Sequence, residues 1–155
     1  MTHSADTEAT IHQIDAAIET HWSAILASFD GVDPSALEEP GVIGEWSVKQ
    51  VIGHVAFCDG LEAVDARARA AGIVPGDHDW QAENDLHGPR IATQPLDDVV
   101  ADLHARHTAV LLELRSLSAE DPRAPELAAA FRANTIDHYD EHAAEIRAWR
   151  ERTRR

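Results

Sequence analysis

Four stretches of the chain repeat apolar residues at alternating spacings of three and four, a periodicity that points to amphipathic α-helices. The first runs from Asp6 to Phe29, with Ile11, Ile14, Ile18, Trp22, Ile25 and Phe29 on one face. Gly31 and Pro34 break it, and the Pro40-Gly41 pair marks the stretch to Gly44 as a structured loop. A second helix opens at Ser47, whose hydroxyl can cap the first turn while Gln50 answers it three residues on. Trp46 and Val51 are placed as the hydrophobic staple of this capping box. The apolar face continues through Val55, Cys58, Leu61 and Val64 until Gly72, and the polar side carries Asp59, Glu62 and Arg67.

Between Gly72 and Gln94 no period is sustained, and Pro75, Gly76, Gly88 and Pro89 predict a long crossover loop with room for one short helical turn. Pro95 suits the first turn of a third helix, with Asp97 and Asp98 near its positive end and a stripe of Leu96, Val99, Leu103, His107, Val110, Leu114 and Leu117. After a turn from Ser118 to Pro125, the last helix presents Leu127, Phe131, Thr135, His138, His142, Ile146 and Trp149. No internal repeat occurs, and nothing alternates with period two for long enough to predict a strand. The expectation is all-α: an antiparallel four-helix bundle with a long crossover between helices two and three. A chain of 155 residues buries about 70% of its unfolded surface, so a single domain over residues 1–155 is expected, with residues 1–5 and 153–155 flexible.

Lys and Arg total 13 against 28 Asp and Glu, and the net charge of −15 argues against nucleic acid as a partner. Arg147, Arg150, Arg152, Arg154 and Arg155 crowd the tail, where cations complement a helix C-terminus. One cysteine, Cys58, cannot form an intramolecular disulfide, which fits a reducing, cytoplasmic setting. The polar N-terminus lacks a signal-peptide pattern, and no window approaches the roughly 18 apolar residues of a membrane span.

Of the ten histidines, His3, His12, His78 and His87 fall in the tail, on helix flanks or in loops and are read as solvated. His138 and His142 are four apart, so their Cβ atoms lie roughly 5–6 Å apart, a span one metal ion can bridge. Such a pair alone is a weak signal, since pocket-lining or hydrogen-bonded histidines give the same spacing. His54 adds to it, because it shares the inward face of Val51, Cys58 and Leu61 and brings a third imidazole from a second helix. Three neutral nitrogens leave a coordination position open, the arrangement of a catalytic rather than a structural metal site.

Asp59 and Glu145 are the candidate catalytic residues, as a ligand-orienting group or general base, weighed against ordinary surface carboxylates. Cys58, one turn beyond His54, is a fourth ligand or redox-sensitive thiol if not a small core residue, and the core role is favoured. His21 and His107 lie on apolar stripes, either lining a pocket or hydrogen-bonded in the core. Trp80, in the crossover, is placed to cover a pocket mouth, while Trp22, Trp46 and Trp149 fit core or cap positions.

The run Trp46-Ser47-Val48-Lys49-Gln50-Val51-Ile52-Gly53-His54, followed by Asp137-His138-Tyr139-Asp140-Glu141-His142, resembles the DinB-like superfamily, which includes the YfiT-type proteins and thiol-dependent transferases. The resemblance implies a four-helix bundle in which His54, His138 and His142 hold a divalent ion, zinc or nickel above others. It also implies a homodimer and a detoxifying enzyme acting on a small electrophile, either as a hydrolase or as an S-transferase using a low-molecular-weight thiol. The ending from Tyr139 to Trp149 looks most like the ClbS and DfsB branch, some members of which work without metal. That likeness implies the alternative of a metal-independent protective binding protein. A helical interaction module is the third possibility.

Overall fold

The structure, a computed structural model, describes residues 2–154, with side chains from Ser4 onward. Met1 and Arg155, within the ends expected to be flexible, lie outside the described residues, as does the side chain of His3, expected to be solvated. In chain order come α1 (Thr2–Phe29), a 3-10 turn (Ala36–Glu38), the strands β1 (Pro40–Ile43) and β2 (Trp46–Ser47), α2 (Val48–Ala70), α3 (Trp80–Ala92) and α4 (Leu96–Arg115). The chain ends with α5 (Ala124–Arg132), a π-helical turn (Ala133–Asp137) and α6 (His138–Thr153), which together form one long rod. That rod, α1, α2 and α4 are the four members of an all-α bundle in which α2 packs on α4 and α1 packs on α5 and α6.

The stripes read from the sequence supply the core: Ile18, Ile25, Val51, Val55, Leu103, Val110, Leu114 and Ile146 are fully buried. The capping box forms as expected, with Ser47 Oγ accepting from Gln50 N at 3.3 Å and Ser47 N donating to Gln50 Oε1 at 3.1 Å. At the other end of the chain, Arg150 donates to the carbonyls of Ala27 and Ser28 and Arg152 to that of Gly41, so two of the tail arginines tie down neighbouring segments.

Four features differ from the sequence reading. The face of α2 that turns inward carries Asp59, Glu62, Ala63 and Ala66, while Val64, expected inside, is 61% exposed. Buried carboxylates are rare, and the apolar spacing beyond Cys58 points to the opposite side of the second half of α2. The crossover holds a 13-residue helix, α3, rather than a single turn. Asp79 caps it by accepting from Ala82 N, and tertiary contacts stabilise it despite Pro89: Trp46 lies so close to Gly88 that a Cβ there would sit 2.8 Å from the indole. Lys49 Nζ donates to the carbonyls of Ala92 and Gln94, and Gln50 Nε2 to that of Gly88, so the C-terminal half of α3 is riveted to α2. The loop before α2 contains a small antiparallel hairpin that pairs Ile43 with Trp46, with Gly41 and Gly44 at positive φ where a side chain would strain the backbone. Lastly, the π turn interrupts the final helix immediately before His138, and Thr135 Oγ1 donates to Phe131 O across it at 2.6 Å.

Candidate metal centre

His54 comes from the middle of α2, and His138 and His142 from the first turns of α6. Their Nε2 atoms converge: His138 Nε2 lies 3.1 Å from His54 Nε2 and 2.9 Å from His142 Nε2. The three rings meet edge to face, with centroids 4.4–5.2 Å apart. His142 Nδ1 lies 2.7 Å from Glu145 Oε2, and a donor N–H there leaves Nε2 as a bare lone pair. His138 Nε2 can carry at most one proton and faces two nitrogens, while its buried Nδ1 has no hydrogen-bond partner among the described residues. Protein donors therefore cannot satisfy this set of lone pairs, whereas a cation can. Nitrogens around a tetrahedral zinc stand about 3.3 Å apart, close to the two spacings measured from His138. The three residues could hold a metal ion.

Electrostatics favour the same state. Burial, reinforced by the neighbouring imidazoles, depresses His54 to about 4 and His138 to about 2, and burial lowers His142 as well. All three are neutral near pH 7 and can ligate without first losing a proton.

Two cavities abut the cluster. The larger, about 700 Å³, is walled by Ile43 and Trp46 of the hairpin, by Gln81, Asn84, Asp85 and Pro89 of α3, and by Glu141 and Glu145 of α6. A second, about 210 Å³, is bounded by Cys58, Trp80, Asn84 and Asn134. His54 and His138 line both, and His142 lines the first.

The other sequence candidates are distributed unevenly. Glu145 touches His142 and lines the larger cavity, as a ligand-orienting group would, and burial raises its pKa. Asp59, considered as a general base or a surface carboxylate, is 0% exposed, lines neither of these cavities, and accepts from Tyr139 Oη at 2.7 Å. Burial pushes its carboxyl up to about 8. Cys58 is buried with its Sγ 3.7 Å from His54 Nε2, and burial pushes the thiol up to about 12. Trp80 lines the smaller cavity. His107 is a hydrogen-bonded core residue, with Nδ1 3.1 Å from Tyr139 Oη, and His21 pairs with Asp140 away from the cluster. Of the histidines read as solvated, His78 pairs with Asp65 and His87 with Glu83. Sequence reasoning missed Asn84, which lines both cavities beside His54, and Asn134 in the π turn, which lines the smaller. No periodicity marks either one; the capping Asp79 five residues before Asn84 was the available hint of a helix there.

The family model of the DinB superfamily matches residues 17–145, and the chain belongs to that superfamily. No curated protein and no solved structure matches it. Among the described residues no helix is long and apolar enough to cross a membrane.

Proposed function

We propose that the protein is a metal-dependent enzyme that acts on a small electrophilic molecule, as a hydrolase or as an S-transferase using a low-molecular-weight thiol, in cytoplasmic detoxification. The observation that carries this reading is the convergence of three neutral Nε2 atoms beside a 700 Å³ cavity. His54, His138 and His142 would hold the ion, zinc or nickel, which when bound supplies Lewis acidity and lowers the pKa of a coordinated water or thiol. Glu145 holds the His142 ring in the ligating tautomer. Asn84 lines the cavity from α3, and Trp46, Ile43 and Pro89 provide apolar walls that limit water around a bound substrate.

The test is elemental analysis of protein purified without a histidine tag, followed by turnover assays on electrophiles with and without mycothiol, bacillithiol or glutathione. Near-stoichiometric metal that vanishes in the His138→Ala, His142→Ala double variant, together with metal-dependent turnover, supports the reading. Metal-free protein that still binds an electrophile would instead support a protective binding protein of the ClbS type.

A further inference from the structure

We infer that the cavity bounded by Cys58, Trp80, Asn84 and Asn134 is a second substrate subsite, which takes a small uncharged molecule carrying a hydrogen-bond donor. This deepens the proposed function, resting on it for the identity of the reacting centre but not for binding. Along α2 the larger cavity extends from His54 toward Trp46 and the smaller toward Cys58; along the last helix they extend from His138 toward Glu145 and toward Asn134 respectively. The histidines therefore stand between two chambers and could present one centre to two different molecules.

The chambers differ in charge. Asp85, Glu141 and Glu145 line the larger one, and among the described residues no lysine or arginine does. Among the described residues the smaller is lined by no Asp, Glu, Lys or Arg. An ion entering it would give up water without meeting a counter-charge, which selects for neutral molecules. Its volume of about 210 Å³ corresponds to about seven waters, enough for a compact organic fragment.

The smaller chamber is also braced. Asn134 Nδ2 donates to Glu62 Oε2 at 2.6 Å, and Glu62, 1% exposed in the core of α2, is ion-paired with Arg69. A buried carboxylate is a poor source of stability, but it is an effective way to fix a partner's orientation. With its nitrogen committed to Glu62, Asn134 offers its carbonyl oxygen to the chamber, where a hydroxyl, thiol or amide N–H can donate to it. The π turn sets Asn134 and His138 one turn apart on the same cavity wall.

Tryptophan indole N–H signals make the two chambers separately observable, because Trp80 lines one and Trp46 the other. The probe is propionamide, titrated into the protein as purified. Comparison probes are its isomer N,N-dimethylformamide, which lacks an N–H, and propionate, which matches its size but carries a charge. Propionamide is expected to shift the Trp80 signal saturably with Trp46 unmoved, and both comparison probes to bind roughly tenfold more weakly or less. Cys58→Leu, which narrows the chamber by two methyl-sized groups, is expected to weaken the response severalfold; if that variant does not fold, Asn84→Leu alters the chamber from the other wall. A silent Trp80, equal responses to the three probes, Trp46 shifting in step with Trp80, or an undiminished response in the narrowed variant would overturn the proposal. Metal content is measured on the same sample, so loss of the metal reading and loss of the subsite are separate results.

Discussion

His107 and His138 both replace an apolar residue on the inward stripe of a helix, yet their surroundings differ. His107 is stacked on Trp22 with centroids 3.9 Å apart, and its Nδ1 meets Tyr139 Oη, which in turn bonds Asp59. Donors and acceptors alternate along that chain, and the far nitrogen Nε2, which has no hydrogen-bond partner among the described residues, faces the Glu19 carboxylate at 3.6 Å, so both ring nitrogens meet protein groups that complement them. Around His138 the neighbours are two more imidazole nitrogens, which compete with it instead of complementing it. A histidine on an apolar stripe therefore says little about metal, and the chemistry of what faces its nitrogens decides.

Removing one member of each cluster should separate the two roles. His138→Ala takes away one of three donors and should weaken metal affinity about a thousandfold, about 4 kcal/mol, by titration against a chelator. His107→Ala should leave metal content unchanged but lower unfolding free energy by about 3 kcal/mol in denaturant titration, through loss of a buried stacked ring. If His107→Ala loses metal as well, the clusters are not independent. A smaller effect is expected from Glu145→Gln, which keeps the shape but weakens the hold on His142 Nδ1. Metal affinity should fall about 10- to 100-fold with folding stability nearly unaltered.

The remaining contrast is one of pH dependence, measured as the slope of stability against pH on metal-free protein. Asp59, raised to about 8 from an ordinary 3.8, contributes stability that is complete below 3.8 and lost as pH climbs toward 8. The histidines work in reverse. His54 is lowered to about 4 from 6.5, so the unfolded chain takes up its proton first, and stability present above 6.5 is lost as pH falls toward 4. Asp59→Asn should flatten the first limb and His54→Ala the second; identical pH profiles for wild type and both variants would show that neither burial is felt as described.

Much of this was legible along the chain. The capping box placed the start of α2 to the residue, and the stripes of α1 and α4 identified their buried faces, because helix spacing and caps are local properties. His54, His138 and His142 were legible through the same periodicity and through the resemblance. Less accessible was the second half of α2, where Asp59 and Glu62 are buried against Tyr139 and Asn134 of the last helix, with Arg69 two turns along α2 pairing Glu62. Helix α3 was hidden for a related reason, since its stability depends on Trp46, Lys49 and Gln50 reaching across from the hairpin and α2.

By itself the sequence determined an all-α bundle and three inward imidazoles on two helices, since periodicity, caps and breakers are written into neighbouring residues. Tertiary structure alone decided that His138 Nε2 meets the other two within hydrogen-bonding distance, that Asp59 is sequestered while Glu145 orients His142, and that the cluster stands between a charged cavity and an uncharged one. Each of those outcomes depends on how far apart and at what rotation two helices pack, and a π turn of five residues shifts that rotation where no spacing rule anticipates it.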